Sequence, residues 1–93
     1  MDTTVRQGQN KFYVGDSEEN PLALMTFVHN GKTQIIIDHT EVSDELRGQS
    51  IGDKLLEAVV SYAREKEMKI IPLCPFAKAR LEKNHEKYED VLK

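Results

Sequence analysis

The chain has a single cysteine among its 93 residues, so no disulfide can form within it. A thiol left alone in this way suits a reducing compartment. No apolar run comes near the roughly 20 residues that a membrane-spanning helix needs. Positive charge is also scarce: 13 Lys and Arg stand against 16 Asp and Glu, for a net charge of −3. A general nucleic-acid binder needs a basic face to displace counterions, and this balance does not supply one. The opening Met1-Asp2-Thr3-Thr4 lacks the basic and apolar regions of a secretory signal. No internal repeat, low-complexity tract or linker divides the sequence. These absences read as one domain over residues 1–93, cytoplasmic, with neither nucleic acid nor membrane as a partner.

What is present starts with strand-like runs. Lys11-Phe12-Tyr13-Val14 is a short strand candidate, followed by a polar turn from Gly15 to Pro21. Leu22 to Val28 is a second, and the β-branched run from Thr33 to Thr40 a third. Asn30-Gly31 between them predicts a tight hairpin turn in which both residues take positive φ. From Ile51 the period changes. Ile51, Leu55, Ala58, Val59, Tyr62 and Ala63 recur at spacings of three and four, with Asp53, Lys54, Glu57 and Arg64 between them. That pattern predicts a helix of roughly four to five turns.

Lys69 to Leu73 reads as another strand, and Pro72 marks an edge or a splayed end. Cys74-Pro75-Phe76-Ala77 opens a second helix, with proline at the first helical position where its missing N–H does no harm. Asn84-His85 interrupts that helix before Tyr88. The expected fold is α/β (α+β), in the order β-β-β-α-β-α. Its sheet is mixed and mostly antiparallel, with one parallel pair joined by a right-handed crossover through the main helix.

Between the third strand and the main helix lies Arg47-Gly48-Gln49-Ser50-Ile51-Gly52. A glycine-containing turn that opens a helix offers unpaired backbone N–H groups at the positive end of the helix dipole. Such a place suits a diphosphate.

The segment from Thr40 to Leu55, which contains this turn, resembles the acetyl-CoA-binding core of the GNAT superfamily of N-acetyltransferases. Together with Pro72-Leu73-Cys74-Pro75-Phe76 it is similar, more narrowly, to small GNAT-like proteins of about this length, over nearly the whole chain from Phe12 to Leu92. The superfamily turn Gln/Arg-x-x-Gly-x-Gly/Ala falls on Arg47, Gly48, Gln49, Ser50, Ile51 and Gly52. The resemblance implies that N–H groups of Gln49, Ser50, Ile51, Gly52, Asp53 and Lys54 surround the pyrophosphate of acetyl-CoA. It also implies that the strand end near Glu41 and Val42 hydrogen-bonds the pantetheine arm. Arg47 and Lys54 can screen the diphosphate without a metal. One position departs from the pattern: Ser50 stands where the family has its first glycine. A serine is compatible with a helical φ/ψ there and its hydroxyl can donate a hydrogen bond, so modestly weakened binding is expected.

The resemblance implies an acyltransferase that takes its acyl group from acetyl-CoA and passes it to an amine or lysine-like acceptor. A non-catalytic acyl-CoA-binding module, or an interaction domain that only keeps the fold, are the other readings. Only the loop from Gly15 to Pro21 lies where relatives carry helices that wall the acceptor pocket, so an open acceptor side is expected. Monomer and weak homodimer both fit an open sheet edge.

Three residues are candidates for the chemistry. Cys74 sits at a strand-to-helix junction, where a thiolate is favoured by the helix dipole and attacks as a nucleophile. It carries the acyl group, or lines the pocket and bonds the pantetheine, or fills the core as a small apolar side chain. Glu41, at the end of the third strand, lies near the superfamily's general base. His39 shares its strand face by the period of two and is the other choice of base. Ala77-Lys78-Ala79-Arg80-Leu81 holds no tyrosine to serve as the usual general acid. His29 reads as exposed, His85 and Tyr88 as packing residues, and the histidines and cysteine lack zinc spacing, so no metal is expected.

Overall fold

The computed structural model describes residues 4–92. Its strands are β1 (Val5–Gly8), β2 (Lys11–Val14), β3 (Ala23–Asn30), β4 (Gln34–Val42) and β5 (Lys69–Pro72). Its helices are α1 (Ile51–Glu65), α2 (Pro75–Lys83) and the short α3 (His85–Tyr88), with a single 3₁₀ turn at Asp44–Leu46. The five strands form one sheet in the order β1-β2-β3-β4-β5. The first four pair antiparallel, while β4 and β5 run parallel across the α1 connection. This is the mixed α/β architecture expected, with one strand added ahead of the first.

The added β1 pairs Val5 to Gly8 with Lys11 to Val14 around a turn in which Asn10 takes φ 57°. The hairpin between β3 and β4 is looser than the Asn-Gly signal predicts. Asn30 ends β3 and pairs with Gln34, so the loop is Gly31-Lys32-Thr33, and only Gly31 carries positive φ, at 72°. The Asn30 amide donates to the Gln34 side-chain oxygen at 2.8 Å, which fastens the loop from outside the turn.

Alternation along the strands sends Phe12, Val14, Ala23, Met25, Phe27, Ile35, Ile37 and Ile70 to one face, where all are buried. Against them α1 buries Ile51, Leu55, Leu56, Val59, Val60 and Ala63, and the C-terminal helices add Ala77, Leu81 and Tyr88 to the same core. Among the described residues, no sheet position on the opposite face is buried. Tyr13, Leu24, Thr26 and Ile36 are half-buried there, and Val28 is exposed. The sheet therefore has one covered face and one bare face. No helix among the described residues is long and apolar enough to cross a membrane.

Charge pairs hold the C-terminal helices along α1. Arg80 meets Asp53, Lys87 and the Tyr88 hydroxyl meet Glu57, and Arg64 meets Asp90. Asp53, Glu57 and Arg64 lie four and seven residues apart, so they share one side of α1.

Candidate cofactor-binding and catalytic site

The β4–β5 pairing stops at Ile37 and Pro72, yet β4 runs on to Val42. Two features cause the parting. Thr26 pairs with His39 and Phe27 with Ile37, so Asp38 is an extra residue in β4 and the strand bends there. On the other side, the N–H groups of Leu73 and Cys74 both donate to the Ile37 carbonyl, each at 3.0 Å, which turns the chain out of β5 into α2. Beyond this point β4 has β3 on one side and an open edge on the other.

Ser43 N–H donates to the Leu22 carbonyl at 2.8 Å. By the alternation of an antiparallel ladder, the main-chain groups of Glu41 then face β3, and those of Thr40 and Val42 face the open edge. Of the pair named from the sequence, Val42 is the one whose backbone points outward.

The open edge leads to the start of α1. There Val42, Leu46, Arg47, Gly48, Ser50, Ile51, Gly52, Asp53, Phe76 and Arg80 line an open pocket of about 320 Å³. Helix geometry leaves the N–H groups of Ile51, Gly52 and Asp53 without an intrahelical acceptor. Lys54 N–H is different: it donates to the Ser50 carbonyl at 3.1 Å and closes the first turn. The available amides therefore end at Asp53 rather than Lys54. Neither Gln49 nor Lys54 is among the pocket's lining residues.

Ser50 does not take a helical backbone. It takes φ 57° and ψ 34°, the left-handed region, and its side chain makes no capping hydrogen bond. The chain must reverse between the turn and α1, and that reversal fixes the conformation whatever the residue. A glycine reaches it without strain; a serine does not.

Two cations belong to the pocket. Arg47 reaches back to Asp44 at 3.0 Å, and both side chains are well exposed. Arg80, which the sequence reading did not single out, lies 3.3 Å from Asp53 and has its guanidinium 5.3 Å from the centre of the Phe76 ring. Its signal was its spacing: Arg80 follows Phe76 by four residues on α2, so the two share a helix face. The amides at the helix start and the two guanidiniums suit an anion, although each guanidinium is paired with a carboxylate, Asp44 or Asp53. A larger hollow of about 460 Å³ lies at the far end of α1 beside Arg64, Met68, Lys69 and Asp90. There Arg64 and Asp90 pair at 2.8 Å. The pocket at the N-terminus of α1 differs in offering free helix-start amides beside its two guanidiniums.

The three candidate catalytic residues fall on two sides of the sheet. Cys74 caps α2 on the covered side, is 6% exposed, and its Sγ donates to the Thr40 hydroxyl at 3.2 Å. His39 and Glu41 pair with Thr26 and Leu24 on the bare side. The structure brings these two together, with Nε2 3.5 Å from the Glu41 carboxylate, and leaves both exposed. β4 itself stands between Cys74 and this pair: Thr40, which bonds the thiol, faces the covered side, and its neighbours His39 and Glu41 face the bare side.

Tyr88 is buried at the end of the core and donates to Glu57 at 2.6 Å. Burial and this bond hold its phenol above the ordinary value, while the same bond holds the Glu57 carboxyl below its own. His29 is exposed and lies 3.2 Å from the Tyr62 hydroxyl.

The fold joins a sheet that opens at one edge to a glycine turn at a helix start. Residues 11–91 match the GCN5-related N-acetyl-transferase family, and the chain belongs to that family. Its members transfer an acyl group from acetyl-CoA to an acceptor. A GCN5-like protein from Staphylococcus aureus, solved by NMR, is 53% identical, with 98% of this chain and 88% of that one covered at a TM-score of 0.81. A GNAT family acetyltransferase from Elizabethkingia anophelis, solved with acetyl-CoA bound, shares the fold at 15% identity and a TM-score of 0.59, covering 81% of this chain and 51% of that one. Ard1 from Thermoplasma volcanium does so at 18% identity and a TM-score of 0.56, covering 80% and 51%. The chain thus spans about half the length of these more distant structures. No curated protein matches it.

Proposed function

We propose that residues 1–93 form one domain that transfers an acetyl or other acyl group from acyl-CoA to an amine or lysine-like acceptor. It does so in the cytoplasm, as a monomer or a weak homodimer. The observation that carries the reading is the open edge of β4, which runs from the anion pocket at α1 to the gap beside His39 and Glu41. The amides of Ile51, Gly52 and Asp53, with Arg47, hold the diphosphate. The backbone of Val42 and Thr40 holds the arm. A thioester supplies an acyl carbon open to attack by an amine.

The acceptor comes from the bare face, where Glu41, aligned by His39, takes a proton from its ammonium group. Its lone pair then forms the new C–N bond as the C–S bond breaks, and the departing sulfur takes up a proton. Among the described residues, His39 and Glu41 stand exposed on the bare face, which suits an acceptor larger than a free amino acid. A second reading runs through Cys74, whose thiol stands at the gap: it forms a thioester with release of CoA, and the amine then takes the acyl group from sulfur.

The test is turnover of acetyl-CoA with a panel of amines and lysine peptides, followed by pH profiles of Glu41→Gln and His39→Ala. Loss of the acidic limb in one variant identifies the base. Unchanged profiles in both remove Glu41 and His39 from the chemistry. Cofactor binding without turnover on any acceptor favours a non-catalytic acyl-CoA-binding module.

A further inference from the structure

Arg80 and Asp53 form a charge pair inside the anion pocket, and the pair has an unusual placement. Asp53 lies in the first turn of α1, so its carboxylate occupies the positive end of the same helix dipole that an incoming diphosphate would use. A pocket for a dianion that carries its own anion is at odds with its task unless that charge is compensated. Arg80 compensates it, at 3.3 Å. We infer that Arg80 is an exchangeable cation: it neutralises Asp53 in the free protein and moves to a diphosphate oxygen when acyl-CoA binds. This rests on the reading of the pocket as a CoA site and goes beyond it, because it gives Arg80 and Asp53 opposite effects on affinity.

Three observations support the exchange. Both partners are close to half exposed, at 43% and 45%, so water screens the pair and little holds it shut. Asp53 keeps a favourable environment after Arg80 leaves, because the helix N-terminus still stabilises its carboxylate. Arg80 cannot drift far, because its guanidinium lies over the Phe76 ring, and both residues line the pocket. The ring thus acts as a pivot that holds the cation near the phosphate position in either state. Arg80 meets Asp53 through Nε, and a guanidinium's planar fork has the geometry to bond two phosphate oxygens. Arg47 lacks this restraint: its pair with Asp44 stands on the open turn, with 76% and 88% of the side chains exposed.

The test measures binding of CoA, dephospho-CoA and pantetheine, which lacks the diphosphate, to the whole chain. Arg80→Gln should weaken CoA and dephospho-CoA about tenfold, the size of one charge-assisted hydrogen bond, and leave pantetheine unchanged. Asp53→Asn should tighten both diphosphate ligands several-fold, with no gain for pantetheine. Arg80→Lys keeps the charge but loses the fork and the ring contact, and should fall between wild type and Arg80→Gln. Far-UV circular dichroism and thermal melting confirm that the variants fold; a fold-wide loss would weaken pantetheine too.

The inference is overturned if wild type binds CoA and Arg80→Gln binds it equally well, or if Asp53→Asn weakens it. It is also overturned if the effect of Arg80→Gln disappears with dephospho-CoA, which would put the guanidinium on the 3′-phosphate. If wild type binds no CoA at all, the assignment of the pocket itself falls, and this inference falls with it.

Discussion

The edge of the Phe76 ring occupies the space where a side chain on Gly52 would stand: a Cβ there would lie 2.6 Å from Cζ and 3.0 Å from Cε2. Gly52 lies in the first turn of α1, and Phe76 in the Cys-Pro-Phe run more than 20 residues later. The two motifs that drew attention separately are therefore one packing unit. The glycine lets the ring approach the helix start, and the ring carries Arg80 to the pocket.

Gly52→Ala is expected to destabilise the protein despite alanine's better helix propensity. The propensity gain is about 1 kcal/mol, and pushing the ring aside costs about 1–3 kcal/mol, so a net loss near 1 kcal/mol is expected. Pairing it with Phe76→Leu should restore part of the loss. A urea titration of the four proteins checks this. Additive effects of the two changes would show that the ring does not set the need for glycine.

Ser50→Gly should act in the opposite direction. The left-handed backbone at Ser50 costs a residue with a Cβ about 1–2 kcal/mol, and glycine's extra freedom in the unfolded chain returns about 0.4–1 kcal/mol of that. A gain of roughly 0.5–1 kcal/mol should remain. Ser50→Ala should be close to neutral, because the hydroxyl makes no capping bond. Melting temperatures decide both. CoA affinity in Ser50→Gly should be kept or raised; a fall would show that the serine hydroxyl serves the ligand.

These residues show what could be read from the chain and what could not. The helix pattern from Ile51 to Ala63 follows from spacing, because α1 buries a continuous apolar stripe, whereas the strand after it and the second helix are marked by a β-branched run and by Pro75. β1 buries almost nothing: Arg6 and Gln7 are exposed and Val5 only half-buried, so there was no period to see. The Asn30-Gly31 pair marked the hairpin correctly, but loop length depends on the register across both strands, which a dipeptide does not contain. The turn pattern located the pocket. It could not show that Lys54 N–H is used up in the helix or that Ser50 lies in the left-handed region, since both depend on where the first helical bond closes. Arg80 needed the third dimension: only the fold of α2 beside α1 brings it to Asp53.

The anchoring of the C-terminal helices should fail in acid. Hydrogen bonding from Tyr88 holds Glu57 below the ordinary carboxylate value, and bonding from Arg64 does the same for Asp90. A group with a depressed folded value contributes stability above its unfolded value and loses it as pH falls. The loss should therefore begin near about pH 4 and grow below it. Glu57→Gln should be less stable than wild type at about pH 7, and the gap should narrow as both approach about pH 3. Tyr88 has the opposite sign. Burial and Glu57 raise its folded value, so its contribution is complete below about pH 10 and is lost above it. Chemical denaturation across the pH range tests both limbs; parallel curves for wild type and Glu57→Gln in acid would rule out this anchor.

Direct transfer and a route through Cys74 predict different behaviour of one pair of variants. The thiol is 6% exposed and bonded to Thr40, so Cys74→Ala should cost stability of about 1–2 kcal/mol through lost packing and a partly unpaired hydroxyl. Cys74→Ser keeps a donor for Thr40 and most of the volume, so any change in its turnover reflects chemistry rather than folding. If the amine attacks the acyl carbon directly, Cys74→Ser should keep turnover within a few-fold of wild type. Intact mass spectrometry after incubation with acetyl-CoA, without acceptor, should then show no acetyl adduct that depends on Cys74. A stoichiometric adduct on wild type that is absent from Cys74→Ser, together with loss of turnover, would move the first step to the thiol. It would then be Thr40, bonded to the sulfur at 3.2 Å, that fixes the direction of attack.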